Sequence, residues 1–543
     1  MTHGRVTPDT RIPLQHFPPR SAHPLARLRR RWINDGHHRW ADLPPLALHA
    51  LWRRYQAEGC RQARQTLARQ DPPGLLLLEA GPWPRPWQLV RWCRGRQVRL
   101  RGRGGLAELQ ALDWSALLLL APGMRPLASG LPALLLDLVQ AGVPGGRVGD
   151  ALECRPWRRR PLLRPDWDPL LWQLDVDLAD HLVLSRDLWP LALEMAEGVS
   201  PPSRLLPLLV AGGTPMRKLP WVLVRRPSPK TADLLAAALE RRRCLPPPGP
   251  GLTYGLAPRP GLLQLQVGPG FHCPSLEVLI PTIQAPLATG GTAVNRLLRS
   301  FASTSWPTDR LLLHVGDDLG QPESLALAAS GFPTRVEDTR GLRHGGFHYA
   351  RKLNAMARGS RADLLLFLND DVVVTDPDWL LQLAALLQHQ GGGLVAPLLL
   401  FADGRVQHAG VVGGLLGLAS HPWAGEAPDR LDPTALAQRA CTLLTGACLL
   451  TVRSDFEAVG GYDESYPVEF NDLDLCLRYR EAGRPVVFDP VAWLQHDEGL
   501  SRAGDPRREQ GRERFLQRWG DWLRLDPAVH PALSRTHRRL RPE

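Results

Sequence analysis

The most restrictive feature of this sequence is a regular alternation of short apolar segments and helical patterns that begins at Ser275. The apolar segments show no in–out alternation, which is typical of a mostly parallel sheet that helices cover on both faces. The sequence therefore predicts an α/β fold. We predict strands at Leu276–Ile280, Leu311–Val315 and Leu364–Leu368, and helices at Thr292–Ser303, Gly345–Arg358 and Trp379–Gln388.

A weaker form of the same alternation runs through residues 73–240. The segment Trp114–Gly123 can be laid on Ala362–Asp371, so that Ala121-Pro122-Gly123 stands opposite Asn369-Asp370-Asp371. We therefore predict two tandem copies, of which only the later one carries acidic residues at the strand end. A chance match between two Leu-rich runs is the alternative.

The chain of 543 residues is long enough for several domains. We predict a helical Arg- and Pro-rich segment at 1–70, a first copy at 71–245, a linker at 246–274, the main domain at 275–502 and a helical tail at 503–543. We see no apolar core of a signal peptide and no run of ~20 apolar residues that would cross a bilayer. We expect a cytoplasmic protein, with at most peripheral association to the inner membrane.

The net charge of +12 comes almost entirely from arginine, because the only lysines are Lys218, Lys230 and Lys352. A basic chain favours anionic partners such as nucleotides, acidic lipids or nucleic acid. The arginines are spread along the chain without a basic–aromatic module, which argues against nucleic-acid recognition. Eight cysteines without a CxxC pair argue against a disulfide scaffold and a zinc ribbon.

The run Asn369-Asp370-Asp371 follows the predicted strand Leu364–Leu368 directly. Ligands of open α/β sheets bind outside the carboxyl ends of the strands. Two adjacent carboxylates repel each other there, and a hard cation such as Mg²⁺ or Mn²⁺ would remove that cost. A turn or helix cap, as expected for Asp376 before Pro377, is the alternative.

Three further groups are candidates for chemistry. Asp472 lies near a predicted helix start and is a cap or a general base, whereas Asp474 and Arg478 have the spacing of a helical salt bridge. His496 follows an apolar strand beside Asp497, which suits a metal ligand as well as a structural histidine. The small residues Gly446 and Ala447 allow close approach of a sugar or form a plain turn.

Together these segments resemble the family 2 glycosyltransferases of the GT-A fold, especially the bacterial polysaccharide and rhamnosyl-type enzymes. The resemblance covers about residues 275–502. The motifs that carry it occur in order: Val278-Leu-Ile-Pro-Thr282, FLNDDV within Ala362–Val374, Asp403-Gly-Arg-Val-Gln-His-Ala-Gly410, Leu444-Thr-Gly-Ala-Cys448, Gly460-Gly-Tyr-Asp463, Phe470–Cys476 with Arg478, and His496 with Glu498, Ser501 and Arg502.

The resemblance implies an inverting enzyme that moves a sugar from a nucleotide-diphosphate donor to a hydroxyl of a cell-surface polysaccharide or glycolipid. It implies donor contacts at Pro281, Thr282, Asp317, Asn369 and Asp370, and a Mg²⁺ or Mn²⁺ ion on Asp371 and His496. It implies catalysis by Asp472 with support from Asp474, and acceptor or sugar contacts at Gly446, Ala447, Asn471 and Arg478. The metal would offset charge on the departing diphosphate while Asp472 takes the acceptor proton.

Two positions depart from the family pattern. Asn471 stands where a Glu commonly precedes the base, and Gly316 stands where the simplest alignment puts the Asp that contacts the nucleobase, so that Asp317 would have to substitute. The first copy lacks the acidic turn and is interpreted as degenerate. A catalytically inactive scaffold or glycan-binding protein of a polysaccharide assembly system is the alternative function.

Overall fold

Two compact units make up the chain in the computed structural model. The described residues are 45–69, 74–80, 87–93, 96–102, 106–141, 145–155, 158–195, 201–343, 345–431, 433–497, 507, 511–524, 526–530, 533–534 and 541–542. The N-terminal unit comprises Met1–Pro246, Leu256–Leu263 and Val529–Glu543, and the C-terminal unit comprises Pro247–Gly255 and Gln264–Ala528. The motif residues Glu498, Ser501 and Arg502 lie outside the described residues. Of the helices described, none is both long and apolar enough to cross a membrane.

The N-terminal unit is built on a nine-stranded sheet. Its strands are β1 (Leu75–Glu79), β2 (Trp87–Cys93), β3 (Arg96–Gly102), β4 (Ala116–Leu120), β5 (Arg125–Pro126), β6 (Gly146–Arg155), β7 (Arg158–Leu162), β8 (His181–Ser185) and β9 (Met216–Pro227). Its helices are α1 (Pro45–Leu67), α2 (Leu106–Ala111), α3 (Leu131–Ala141), α4 (Pro169–Leu174), α5 (Trp189–Met195), α6 (Pro202–Ala211) and α7 (Thr231–Cys244).

A ten-stranded sheet forms the C-terminal unit. After the hairpin β10 (Leu252–Leu256) and β11 (Leu263–Val267) come β12 (Leu276–Thr282), β13 (Leu311–Asp317), β14 (Thr334–Asp338), β15 (Leu364–Leu368), β16 (Val372–Val374), β17 (Leu394–Leu400), β18 (Val406–His408), β19 (Val412–Gly413), β20 (Ala419–Ser420), β21 (Arg439–Ala440), β22 (Cys448–Val452) and β23 (Val486–His496). The helices are α8 (Ala293–Phe301), α9 (Tyr349–Arg358), α10 (Trp379–His389), α11 (Arg453–Ala458), α12 (Asn471–Glu481) and α13 (Arg512–Arg524). Strands β24 (Leu533–Ser534) and β25 (Arg541–Pro542) follow.

Both large sheets have the same strand order. The N-terminal sheet runs β3-β2-β1-β4-β8-β6-β9-β5, with β7 paired to β6. The C-terminal sheet runs β14-β13-β12-β15-β22-β17-β23-β16, with β18 paired to β17 and β21 to β23. Strands β1 to β7 therefore occupy the places of β12 to β18, while β8 and β9 occupy those of β22 and β23, and β4 corresponds to β15. This is the pair of strands that the sequence match placed opposite each other.

The strand directions differ at one edge of the two sheets. Strands β1, β2 and β3 are antiparallel neighbours, whereas β12, β13 and β14 are parallel. Antiparallel neighbours need only a short turn, while parallel ones need a crossover such as the one that contains α8. From β4 and β15 onward the pairings agree, and both sheets are mixed rather than mostly parallel, because β8 and β22 run antiparallel to their neighbours.

The strand that leads to the acidic turn is buried along its whole length. All five residues of β15 are buried, and β12 and β22 flank it on its two sides. Its predicted bounds are confirmed, and the predicted strands at Leu276–Ile280 and Leu311–Val315 are each extended by two residues at their carboxyl ends. This extension carries Thr282 and Asp317 to the same edge of the sheet as the acidic turn.

Candidate active site

The acidic turn at the end of β15 forms one side of the candidate site. The backbone N–H of Asn369 donates to the carbonyl of Ala447 at 2.9 Å. The Asp370 carboxylate is buried and accepts a hydrogen bond from the Thr282 hydroxyl at 2.6 Å. Burial, reinforced by the charge of Asp371, raises the pKa of Asp370 to about 6. Asp370 thus ties the turn to β12.

Strand β23 brings His496 to this turn from far along the chain. His496 pairs with Val372 of β16, and its Nε2 lies 3.1 Å from Oδ1 of Asp371. The backbone N–H of Asp497 donates to the carbonyl of Asp371 at 3.1 Å. An open depression of about 680 Å³ adjoins His496, and its lining consists of Phe401, Ala402, Asp403, Arg405, Gly425, His496 and Asp497.

The pair formed by Asp371 and His496 fits a divalent cation that is shared with a ligand. A carboxylate oxygen and an imidazole nitrogen 3.1 Å apart are donors that Mn²⁺ and Mg²⁺ accept. Within the described ranges, no group of three or more His, Cys, Asp or Glu side chains is arranged to hold a metal. The protein would therefore supply two donors, and water and diphosphate oxygens would supply the others, as is usual for these ions.

Asp472 lies at the amino end of α12, and an unusual backbone conformation precedes it. Phe470, the residue before the helix, has φ 70°, in the left-handed region that residues other than glycine seldom adopt. The half-buried Asp472 carboxylate accepts hydrogen bonds from the backbone N–H of Gly446 at 2.7 Å and of Leu473 at 2.9 Å. These two bonds leave further lone pairs on both oxygens, as an acceptor of a proton requires.

The two residues Gly446 and Ala447 join Asp472 to the acidic turn. Gly446 donates to the Asp472 carboxylate, and Ala447 accepts from Asn369. The Tyr349 hydroxyl donates to the carbonyl of Gly446 at 2.8 Å. A Cβ on Gly446 would lie 3.1 Å from that of Asp472, so a larger side chain would push the carboxylate away. Distant parts of the sequence therefore meet in one cluster.

The predicted nucleotide contacts lie at the neighbouring strand ends. Pro281 pairs with Gly316, and Thr282 pairs with Asp317. The side chain of Asp317 is buried and serves as the acceptor that orders its own loop. Its carboxylate binds the side-chain amide of Gln284 at 3.1 Å and the backbone N–H groups of Leu319 and Gln321, each at 2.9 Å. A contact of Asp317 with a nucleobase stays a prediction.

Lys352 is a buried cation beside this edge that the sequence analysis left without a role. Its ammonium lies 2.8 Å from the carboxylate of Asp318, which also accepts from the Thr339 hydroxyl at 2.7 Å. It lies 3.4 Å from the carbonyl of Thr282. Burial lowers the pKa of Lys352, although the charge of Asp318 opposes this effect. In the sequence, the only indication of a special role for Lys352 was the scarcity of lysine in this arginine-rich chain.

Asn354 is another residue that the sequence analysis missed. Its side chain accepts from the backbone N–H of Tyr462 at 2.8 Å and donates to the Tyr462 carbonyl at 2.9 Å. It thereby fixes the predicted motif Gly460–Asp463 against α9, close behind Tyr349. In the sequence, Asn354 could be noticed only as a polar residue on a helix face whose other residues are mostly buried.

Asp474, Asn471 and Arg478 do not share the position of Asp472. Residues two apart on a helix point to nearly opposite sides, and the fully buried Asp474 carboxylate binds Arg478 at 2.7 Å and the Trp519 indole N–H at 2.9 Å. Arg478 donates to the carbonyls of Val459 and Gly461, and Asn471 donates to that of Val468. Their predicted functional roles stay predictions, and their contacts are those of residues that anchor α12.

Replacing Asp474 by Asn is expected to lower the free energy of unfolding by about 1–3 kcal/mol, because Arg478 and Trp519 lose a buried charged acceptor. Urea unfolding measures this change. Glu481→Gln on the exposed side of the same helix is the matched control, and its stability should stay within about 0.5 kcal/mol of the original. Equal effects of the two substitutions would contradict an anchoring role.

Comparison with known proteins finds sequence relatives for parts of the chain, whereas no protein-family model matches it. An uncharacterised protein, y4gI of Sinorhizobium fredii, is 41% identical over 199 residues, which are 35% of this chain and 22% of that protein. The O-antigen biosynthesis protein RfbC of Myxococcus xanthus is 33% identical over 269 residues, which are 48% of this chain and 20% of that protein.

A third relative is named as a glycosyltransferase. The N-acetylglucosaminyl-diphospho-decaprenol L-rhamnosyltransferase of Mycobacterium tuberculosis is 31% identical over 161 residues, which are 26% of this chain and 51% of that protein. The matches thus span from about a fifth to about half of the length of these relatives.

Similar solved structures are distant. The mannosyltransferase PcManGT of Pyrobaculum calidifontis, in complex with GDP-Man and Mn²⁺, has a TM-score of 0.31 and 16% identity over 43% of this chain and 59% of that one. GalNAc-T7 with UDP, GalNAc and Mn²⁺ has a TM-score of 0.34 and 14% identity over 46% of this chain and 50% of that one. Likeness at this level does not bear on ligand or activity.

The sequence relatives confirm the resemblance that the ordered motifs predict. The strand order of the C-terminal unit places those motifs at one edge of a mixed sheet, where the acidic turn, Asp472 and His496 meet. The C-terminal unit is therefore a mixed α/β domain that carries these motifs, and the relatives named above support the resemblance of the chain to the family 2 glycosyltransferases.

Proposed function

We propose that this protein transfers a sugar from a nucleoside-diphosphate donor to a hydroxyl of a growing polysaccharide or lipid-linked glycan, with inversion at the anomeric carbon. The observation that carries the proposal is the connection of the Asp371–His496 pair to Asp472 through Gly446 and Ala447. The printed names of two relatives, an O-antigen biosynthesis protein and a rhamnosyltransferase, support a role in polysaccharide biosynthesis.

Asp472 is the proposed general base. The acceptor hydroxyl gives its proton to the Asp472 carboxylate while its oxygen forms the bond to the anomeric carbon, and the bond from that carbon to the donor diphosphate breaks. The bonding electrons leave with the nucleoside diphosphate. The Gly446 N–H holds the carboxylate in place, and each of its oxygens keeps a further lone pair that can accept a proton.

Asp371 and His496 would hold the divalent cation. When bound, this ion supplies positive charge that offsets the charge developing on the diphosphate. Asp370 and Thr282 support the turn from behind, and the loop ordered by Asp317 lies at the predicted nucleotide end. We place the activity in the cytoplasm, with peripheral association to the inner membrane where lipid-linked acceptors reside.

Binding of nucleoside-diphosphate sugars in the presence and absence of Mn²⁺ tests this function. A thermal-shift screen should find a donor that stabilises the protein only when Mn²⁺ is present, by about 2.7 kcal/mol at a hundred times its Kd. Asp371→Ala should abolish the stabilisation, because one of two protein donors to the cation is lost. The exposed Asp378→Ala is the matched control.

A donor that stabilises Asp371→Ala as well as it does the unaltered protein, with or without Mn²⁺, would contradict the proposal. That result would favour the alternative of a glycan- or nucleotide-binding scaffold without transfer. Release of free sugar from the donor, followed on the same variants, provides a second readout that does not depend on knowledge of the acceptor.

A further inference from the structure

Corresponding positions in the two units can be assigned from their hydrogen bonds. The N–H of Ala121, directly after β4, donates to the carbonyl of Asp180 at 3.0 Å, just as the N–H of Asn369 after β15 donates to that of Ala447 at 2.9 Å. Asp180 therefore occupies the position of Ala447. The equivalence requires no sequence similarity, because it follows from the pairing of topologically identical strands.

The strand pairing also gives the residues of the N-terminal unit that correspond to the proposed metal ligands. Arg125 of β5 pairs with Arg225 of β9, and Val373 of β16 pairs with Gln495 of β23. Counting along each strand from these two equivalent pairs gives the other equivalent residues. Gly123 thus corresponds to Asp371, Arg226 to His496, and Glu153 of β6 to Phe401 after β17.

Arg226 fills its position with a buried ion-pair cluster. Its guanidinium is 4% exposed and binds both oxygens of Asp177, at 2.8 and 3.0 Å. It also lies 3.6 Å from the carboxylate of Asp180 and 3.7 Å from that of Glu153. Three carboxylates therefore face one guanidinium at the place where the C-terminal unit has an imidazole facing one carboxylate.

A second arginine completes the cluster. Arg164 binds both oxygens of Asp180, at 3.0 and 2.6 Å, and is itself buried. Burial acts to raise the pKa of Asp180, but the charges of Arg164 and His181 outweigh it and hold that pKa well below its ordinary value. Asp180 is thus ionised and is already paired with protein cations.

We propose that Arg226 is a built-in cation at the position that a metal ligand occupies in the C-terminal unit, so that this edge of the described N-terminal sheet takes no metal. The comparison of the Arg226 guanidinium with a metal ion rests on the proposed function, whereas the ion pairs of Arg226 are observed independently of it. Loss of Arg226 would remove the cation that the three carboxylates share and would leave each of them beside a single other arginine, Arg155, Arg164 or Arg259, which is costly for buried charges. The divalent cation and the donor of the proposed function would then both bind in the C-terminal unit.

Removal of the guanidinium tests the proposal. In Arg226→Ala the carboxylates of Asp177, Asp180 and Glu153 lose the guanidinium that they share, and Mn²⁺ or Ca²⁺ should take its place. We expect a lower melting temperature than in the unaltered protein, and a rise on addition of Ca²⁺ that the unaltered protein does not show. The exposed neighbour Arg225→Ala is the matched control and should show neither change. An Arg226→Ala protein whose melting temperature is insensitive to both ions would overturn the proposal.

Counting of bound Mn²⁺ by electron paramagnetic resonance gives a second measurement that needs no change in the N-terminal unit. Full-length Asp371→Ala should bind no Mn²⁺, and one ion that remains per chain would contradict the proposal even if Arg226→Ala fails to fold. An unaltered protein that binds no Mn²⁺ would count against the metal in the proposed function. The Ca²⁺ response of Arg226→Ala would still decide whether the arginine occupies a cation position.

Discussion

Asp472→Asn is expected to reduce kcat for sugar transfer by about 10²–10⁴-fold while donor binding in the presence of Mn²⁺ stays unchanged. Asparagine has the shape of aspartate and can still accept the Gly446 N–H, but it cannot take a proton from the acceptor. Steady-state transfer assays give kcat, and calorimetry with the donor and Mn²⁺ gives the Kd.

The control for this substitution is Asp463→Asn, a carboxylate in a neighbouring loop that binds the Ser465 N–H and lies outside the cluster. Its transfer rate should stay close to that of the unaltered protein. An Asp472→Asn variant that transfers at the original rate would exclude Asp472 as the base. A variant that loses donor binding together with transfer would indicate that Asp472 acts by positioning the turn.

Lys352→Met is expected to lower the free energy of unfolding by about 3–5 kcal/mol, because it leaves the buried carboxylate of Asp318 without its counter-charge. Methionine preserves the apolar stem of the side chain, so the loss reports the missing charge rather than a cavity. Urea unfolding of the full chain measures the change. The exposed Lys230→Met provides the matched control and should leave stability nearly unaltered.

The double substitution Lys352→Met with Asp318→Asn separates two explanations. If the uncompensated charge causes the loss, the double variant should be more stable than Lys352→Met alone. A double variant that is less stable still would show that Lys352 acts through its other neighbours, the Thr282 carbonyl and the Phe347 ring.

Local patterns were sufficient to predict the elements that lead to the site. The run Leu364–Leu368 is uniformly apolar and is followed by acidic residues, so both its burial and its bounds could be read directly. The match between Trp114–Gly123 and Ala362–Asp371 was detectable for the same reason. The direction of the later strands was not, because antiparallel insertion of β22 depends on contacts between residues far apart in the sequence.

Side-chain use within the site was harder to predict than its location. Asp317 and Asp474 are acidic residues near the right strand and helix, yet amide, indole and guanidinium groups of the protein occupy their carboxylates. The correspondence of Arg226 with His496 was invisible in the sequence, because it depends on how β9 and β23 pair with β6 and β17, and register shifts interrupt both pairings. Only the register of the neighbouring strands reveals it.

The short bridge of Gly446 and Ala447 has a mechanical consequence. Gly446 is hydrogen-bonded to the Asp472 carboxylate, and Ala447 is hydrogen-bonded to the turn that carries Asp371. A shift of the turn would therefore also move Asp472. Any movement of the acidic turn when the donor binds is thereby transmitted to the Asp472 carboxylate, which contacts the acceptor in the proposed mechanism. In the proposed mechanism, donor binding at the turn and the placement of the base for the acceptor are therefore coupled through these two peptide units.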